Sequence, residues 1–379
     1  MNDLLNLKSA RVLVTGANGF IGWHLCRQLK HRSDQYNLVI FQRDWFDDND
    51  KLNDFVKKCD TIIHLAGLNR HSEENLIYNT NIDLANKLIN SLELTQFNGQ
   101  IIFSSSIHEE NDNIFGKSKK NARLLFSNWA KSSRGRFNGL IIPNVFGPFG
   151  KPFYNSVIST FCHQLINKET PKIDIDAKLN LIYIDDLIDY IINVINNKSN
   201  YTQIIHHKYE YQVSQILKIL EKFKLTYLKN GTIPKFKNDI DLNLFNTFRS
   251  YIHLKTFFPV SYKNNIDERG NFVEIIRLKS GGQISFSSTK PNVVRGDHYH
   301  TRKIERFSVI KGEALIRLRK VGTNEILEYN LSGKDPSYVD MPVWYTHNIK
   351  NIGDDELYTV FWINEFYDPK NPDTYFENV

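Results

Sequence analysis

The sequence predicts an α/β domain, built as a doubly wound parallel sheet, followed by an all-β domain. Three observations carry this. Short β-branched strands alternate with helical stretches through the first half of the chain. A glycine-spaced turn joins the first strand to the first helix. Beyond about residue 250 short strands succeed one another without long helices between them, the pattern of a barrel or jelly roll. The 379 residues suit two domains at about 100–200 residues each. The boundary is placed at 250, giving 1–250 and 251–379.

In the first domain "RVLVT" reads as a strand, and "IGWHLCRQLK" puts Ile21, Leu25 and Leu29 on one helical face. "NLVIF", "TIIHLA", "QIIFSSS" and "NGLIIP" are further strands. Between the first strand and helix lies "TGANGFIG", with Gly16, Gly19 and Gly22 spaced G-x-x-G-x-x-G. Missing side chains let backbone N–H groups approach a pyrophosphate, and the helix N-terminus favours that anion. The second strand ends in "FQRD". Arg43 is either a surface arginine or the holder of an NADP 2′-phosphate; with Gln42 and Arg43 ahead of Asp44, NADPH is expected over NADH. The stretch "KNGTIPKFKNDIDLNLFNTFRS" is polar and reads as irregular, closing the first domain and leading into a linker.

The 48 basic and 42 acidic residues are scattered, which excludes a nucleic-acid-binding arm and leaves a mild excess suited to an anionic ligand. Three widely spaced cysteines, Cys26, Cys59 and Cys162, imply neither a disulfide framework nor a CxxC metal site. The opening "MNDLLNLKSARVLV" lacks the features of a leader, and no run of about 18 apolar residues suggests a membrane span. A reduced, soluble cytoplasmic protein is expected, with neither nucleic acid nor membrane as partner.

The second domain holds "GDHYHTRKIERFSVIKG" and, later, "PVWYTHNIKN". His298 and His300 alternate along a strand and face one side. With Glu305 and His347 they supply three imidazoles and a carboxylate, a plausible set for a divalent ion such as Zn²⁺.

Several motifs carry a resemblance. "TGANGFIG", "HLAG" (His64 to Gly67), "FSSS" (Phe103 to Ser106), "IIPNVFGP" and "LIYIDDL" resemble the extended short-chain dehydrogenase/reductases, whose sheet is Rossmann-like. The resemblance implies cofactor contacts from Gly16, Gly19, Phe20, Ile21, Gly22, Leu65, Ala66, Lys119, Pro143 and Asn144. It also implies a catalytic serine at Ser106 and the lysine of Tyr-x-x-x-Lys at Lys119. The tyrosine of that motif, which gives the carbonyl its proton, is Phe115 here. Ser104 to Ser106 also read as a polar strand end, and Lys119 as a solvated lysine.

The spacing H-x-H-x4-E-x6-G, then P-x4-H-x3-N, resembles the cupin signature, with Trp344 where the second motif carries glycine. "DERGNFVEI" and "QISFSSTKPNVVRGDHYH" resemble the nucleotide-sugar 3,5-epimerases, cupin-like dimers in which the histidine corresponding to His298 is the general base. His298 is therefore either ligand or base, with Lys303 and Tyr345 as further acid/base groups.

Over essentially its full length, including "KPFYNSVISTFCHQL" and "NEFYDPKNPDTYFENV", the chain resembles the CapF-like bifunctional capsular-polysaccharide enzymes of the UDP-N-acetyl-L-fucosamine pathway. The resemblance implies that the cupin half epimerises C3 of a UDP-2-acetamido-2,6-dideoxy-4-hexulose. The reductase half then reduces the C4 ketone with NADPH to UDP-2-acetamido-2,6-dideoxy-L-talose. It also implies a homodimer through the cupin half. Other readings stay open: an epimerase whose first domain binds NADPH without reducing, a sugar-nucleotide binding or regulatory protein, and a metal-dependent cupin dioxygenase.

Overall fold

Residues 9–379, apart from Lys198 and Arg269, are described by the computed structural model of the chain. Arg269, inside the "DERGNF" motif, and the first eight residues of the opening stretch lie outside the described residues. The chain forms two compact units: 1–160 with 173–214, and 161–172 with 215–379.

The first unit begins with β1 (Ala10–Thr15), α1 (Phe20–His31), β2 (Tyr36–Ile40), α2 (Asn49–Lys57) and β3 (Thr61–His64). It continues through α3 (Glu74–Leu94), β4 (Gln100–Ser106), α4 (Ile114–Ser132) and β5 (Arg136–Ile142). β6 (Asn144–Phe146), α5 (Val157–Ile166), β7 (Lys178–Tyr183), α6 (Ile184–Asn196), β8 (Tyr201–Ile204) and β9 (Tyr209–Gln212) follow, with α5 from Phe161 onward grouping with the second unit. Six strands pair in parallel in the order β2-β1-β3-β4-β5-β8. β6, β7 and β9 form a smaller mixed sheet.

The chain leaves β1 for one neighbour and returns to the other, so the strand order reverses between β1 and β3. The crevice beyond the carboxyl ends of those strands is where such sheets bind ligands. Leu13, Ile62, Ile101 and Phe103 from the sheet pack with Leu52, Leu88, Phe126 and Trp129 from the helices into a continuous core. α6 buries Ile184, Leu187, Ile188, Ile191 and Ile195, at helical spacing. Asp185 lies inside the first turn of α6, whose N-cap is Tyr183.

The second unit opens with helices: α7 (Val213–Phe223), whose first two residues belong to the first unit, α8 (Asp239–Arg249) and α9 (Leu254–Phe257). Then come β10 (Val260–Ser261), β11 (Asn264–Asp267), β12 (Gly270–Val273), β13 (Gln283–Thr289), β14 (Val294–Tyr299) and β15 (Glu305–Lys311). β16 (Glu313–Lys320), β17 (Ile326–Ser332), β18 (Ser337–Met341), β19 (Tyr345–Asn351), β20 (Leu357–Ile363) and β21 (Tyr375–Phe376) complete it. Two five-stranded antiparallel sheets result, β10-β18-β15-β20-β13 and β17-β16-β19-β14-β21, with β11 and β12 as a separate hairpin.

The segment read as irregular is corrected here: 239–249 is α8. Asn238 caps it by accepting from Asp241 N (3.3 Å), and Ile240, Leu244, Phe245 and Phe248 are buried at helical spacing. Interspersed Asp and Asn residues hid that stripe. By contacts, Gln215 to Ser250 also group with the β-rich unit, whereas the sequence-based boundary was 250. A buried polar knot ties them to it. The Arg306 guanidinium bonds Asp340 at 2.7 and 3.0 Å, and Tyr227 Oη donates to the same carboxylate at 2.7 Å. Arg249, also buried, donates to Met341 O at 3.1 Å.

Candidate active sites

In the first unit the glycine turn sits at the sheet's reversal point. Gly16 has φ 72, a left-handed backbone, and a Cβ on it would lie 2.8 Å from Ala66 N. A Cβ on Gly22 would lie 2.2 Å from Gly16 O, so the turn and α1 pack too closely for any side chain. Gly19 is the N-cap of α1 and offers no side-chain cap. The first-turn N–H groups, which no helix satisfies internally, are therefore left for an anion. Leu65 and Ala66 approach from β3: Leu65 N donates to Thr15 O (3.2 Å) and Ala66 N to Thr15 Oγ1 (3.3 Å). His64 Nδ1 shares a hydrogen bond with the same hydroxyl at 2.9 Å. Burial, then the Lys119 charge, pushes His64 down to about 3, so it is neutral.

Phe20 and Ile21 begin α1 and are partly buried; Pro143 is buried and Asn144 starts β6. Arg43 is exposed at the start of the short helical turn after β2.

Ser106 ends β4, and its Oγ accepts from His108 N at 3.2 Å, capping the turn Ile107–Glu110. Lys119 lies on α4 with only 6% of its surface exposed, its Nζ 4.6 Å from the Phe103 ring centre. Burial pulls it down to about 8, while Glu109 pulls the other way. Phe115 is one helical turn before Lys119 and partly buried; its carbonyl accepts from Ser118 Oγ at 2.7 Å. A Cβ on Gly116 would lie 2.0 Å from His108 O, so the start of α4 is seated firmly on the turn after Ser106.

Sequence reading missed the groups that hold this arrangement. Glu109 is a buried carboxylate. It accepts from Ser105 Oγ at 2.5 Å and pairs with Arg123, one turn beyond Lys119 on α4, at 2.8 and 3.0 Å. Asn81 of α3 bonds both Leu68 N (2.7 Å) and Ser118 Oγ (2.9 Å), linking the loop after β3 to α4. A serine followed three residues later by glutamate is a capping pattern visible in sequence, and Ser106-x-x-Glu109 fits it. The actual partner of Glu109 is Ser105.

In the second unit His298, His300, Glu305 and His347 converge, with donor atoms all within 4.8 Å of one another. β14 and β19 pair so that His298 faces His347, while Glu305 comes from the other sheet. The cluster therefore lies where the two sheets meet. Glu305 Oε2 is 3.1 Å from His347 Nε2 and 3.3 Å from His300 Nε2. The other ring nitrogens are committed to carbonyls: His347 Nδ1 donates to Tyr345 O at 3.1 Å, and His300 Nδ1 to Asp373 O. Neutral rings so oriented turn bare Nε2 lone pairs toward an anionic oxygen. That is unfavourable unless a proton or a cation sits between them, and His300 Nε2 is buried without a hydrogen bond. Tetrahedral ligands about 2.0–2.1 Å from Zn²⁺ stand roughly 3.4 Å apart, so this donor set fits a divalent ion.

Without an ion, a proton takes its place: burial lowers His300, but its bond to Glu305 outweighs that and raises it. Burial raises the Glu305 carboxyl, but its bonds to His300 and His347 outweigh that and bring it well below the carboxylate range. Burial, then His347 and His300, lowers His298 to about 4.

Tyr345 precedes His347 by two on β19 and shares its face; burial, then Glu325, pushes its hydroxyl up to about 12. Lys303 is outside the cluster: its Nζ donates to Pro372 O at 2.5 Å and lies 3.6 Å from Glu365. Arg295 donates to Thr289 Oγ1 and Ser288 O. Trp344, in place of the signature's glycine, has φ 64. The position thus keeps the conformation glycine adopts freely, and the indole stacks on Tyr299 with ring centres 5.8 Å apart.

Fold and sites define an epimerase/dehydratase-type dinucleotide domain joined to an antiparallel β domain with an imidazole–carboxylate cluster. Residues 12–206 match the NAD dependent epimerase/dehydratase family, and 265–375 the polysaccharide biosynthesis C-terminal domain. A UDP-2-acetamido-2,6-beta-L-arabino-hexul-4-ose reductase of Pseudomonas aeruginosa is 33% identical over 371 residues, 96% of this chain and 98% of that one. The crystal structure of the capsular polysaccharide assembling protein CapF from Staphylococcus aureus superposes with TM-score 0.62 at 33% identity, covering 97% of this chain and all of that one. RMD from Pseudomonas aeruginosa, solved with NADPH, has TM-score 0.52 at 19% identity over 57% of this chain and 82% of its own, a likeness of fold. The chain belongs to the CapF-like family of capsular-polysaccharide proteins. Among the described residues no helix is long and apolar enough to cross a membrane.

Proposed function

We propose that the chain is a bifunctional nucleotide-sugar enzyme of capsule or O-antigen synthesis. Its β-rich unit, read as a cupin jelly roll, epimerises C3 of a UDP-2-acetamido-2,6-dideoxy-4-hexulose. Its first unit reduces the C4 ketone with NADPH to UDP-2-acetamido-2,6-dideoxy-L-talose. The observation that carries this reading is the full-length likeness to a hexul-4-ose reductase. The buried Lys119 and the imidazole cluster support it, one in each unit.

The chemistry needs one functional group. A C4 ketone acidifies the C3 proton, whose removal gives an enolate; reprotonation on the opposite face inverts C3. His298, which burial keeps neutral, is the base that takes the C3 proton, while His300, Glu305 and His347 would hold the ion. A bound divalent ion, Zn²⁺ by the donor set, would supply Lewis acidity toward a sugar oxygen. Tyr345 Oη, its pKa raised by burial, keeps its proton at neutral pH and is suited to return one to C3. Lys303, engaged with Pro372 and Glu365, serves the scaffold.

In the first unit NADPH supplies hydride when bound. The first-turn amides of α1 would take its pyrophosphate, and Arg43, exposed beyond β2, would hold the 2′-phosphate. Phe115 cannot give the carbonyl oxygen a proton. Lys119 Nζ, lowered by burial, is the nearest acid to neutrality on α4 and replaces it, with Ser106 Oγ polarising the carbonyl. The second reading, a first domain that binds NADPH without reducing, rests on Phe115 itself.

NADPH oxidation with the 4-hexulose substrate decides between them. Turnover that stops in Lys119→Ala supports the reductase. No turnover, with C3 deuterium exchange still running, establishes a retired reductase joined to a live epimerase. A metal-free protein that exchanges C3 at full rate removes the metal's role. A dimer through the β-rich unit is part of the same reading: Ile284 and Phe286 on edge strand β13, with Ile266 and Phe272 on the β11–β12 hairpin, are 60–76% exposed. Sedimentation tests that.

A further inference from the structure

The segment Pro372–Val379 touches the imidazole cluster more often than any local pattern suggests. Asp373 is only 3% exposed. Its Oδ1 accepts from Thr301 N (3.1 Å) and Thr301 Oγ1 (2.7 Å), and its Oδ2 from Arg302 N and Lys303 N (both 3.0 Å). One carboxylate thus gathers the three residues that follow His300. The backbone oxygen of Asp373 accepts from His300 Nδ1, which fixes the tautomer and aims Nε2 at Glu305 Oε2, 3.3 Å away.

The contacts continue down the segment. Phe376 pairs with His298, and Tyr375 with Tyr299. The Tyr375 ring stacks on Tyr299, with centres 5.4 Å apart. Glu377 O accepts from Thr346 Oγ1, the residue before His347, and Glu377 N donates to Asp297 O at 3.0 Å. Each of the three ring-bearing positions therefore has a neighbour held by this segment.

We propose that Pro372–Val379 is a strap that positions the cluster for its cation, with Asp373 the positioning residue that orients His300. Strap docking and cation binding favour the same arrangement of His300, so each strengthens the other; such coupling is reciprocal. The proposal rests on the cation reading of the cluster.

Zn²⁺ affinity, measured on the full chain by competition with a chromophoric chelator, tests it. Asp373→Ala is expected to bind Zn²⁺ about 10–100-fold more weakly than wild type. Asp373→Asn is expected to recover part of the loss, because asparagine keeps one acceptor oxygen and tolerates the left-handed backbone (φ 43) at this position. In wild-type protein, Zn²⁺ is expected to slow amide hydrogen exchange in 372–379. If Asp373→Ala does not fold, this wild-type measurement decides alone. Unchanged affinity in a folded Asp373→Ala protein, or exchange in 372–379 indifferent to Zn²⁺ that binds, overturns the strap. Wild-type protein that binds no Zn²⁺ overturns the cation reading first, and the strap with it.

Discussion

The two candidate sites of this chain are held together differently. Around Lys119 the groups arrive mostly from short-range neighbours: Ser106 ends a strand, Phe115 and Lys119 sit one turn apart on α4, and Arg123 lies one turn further. Glu109 and Asn81 bridge these elements without using the Phe115 side chain, so exchanging the tyrosine's hydroxyl for a bare ring leaves the rest standing. The imidazole cluster is a closed set drawn from two sheets. Both nitrogens of His300 and His347 are assigned, one to a carbonyl and one to the Glu305 side. The lesson is about tolerance. A site whose lost group bridges nothing can keep its shape, whereas a cluster whose members hold one another loses its geometry with any member.

The largest expected effect separates the sites outright. Lys119→Met should lower NADPH oxidation by about 10²–10⁴-fold while leaving C3 exchange unchanged. His347→Ala should do the reverse, stopping exchange but sparing NADPH binding; joint loss in either variant would break the comparison. Next is the knot beneath the second site. Asp340→Ala leaves the buried Arg306 charge without its partner and should destabilise the β-rich unit by ~3–5 kcal/mol. Urea unfolding should show that transition moving alone, with NADPH binding kept.

Restoring the missing hydroxyl comes third. Phe115→Tyr should raise the reduction rate by up to about 10²-fold, and an unchanged rate would mean proton delivery does not limit it. The smallest effect concerns Glu109. Burial lowers Lys119 to about 8 and Glu109 raises it, so removing that carboxylate lowers it further. If the ammonium donates the proton, reduction declines as pH rises through about 8. In Glu109→Gln the decline should begin at lower pH, as a pH–rate profile will show. A profile that scales down without shifting would make Glu109 purely structural.

Much of this was legible in the sequence because it depends on near neighbours. Strand–helix alternation, the spacing of Gly16, Gly19 and Gly22, the four-residue step from Phe115 to Lys119 and the alternation of His298 with His300 are local periodicities, fixed by backbone geometry alone. The same reading passed over α8, because charges and amides interrupt its buried stripe. It also placed the helices after Ser214 in the first domain, whereas by contacts they group with the β-rich unit.

The chain alone therefore determined the two kinds of sheet, the dinucleotide turn and the list of chemical groups. Only the tertiary structure decided how they are held: Glu109 bridging Ser105 to Arg123, Tyr227 reaching Asp340 across 113 residues, and Asp373 bonding His300 across 73. Such partners leave no periodic trace. They are chosen when folding removes water from polar groups that must then find each other, and that condition exists only once the sheets have closed.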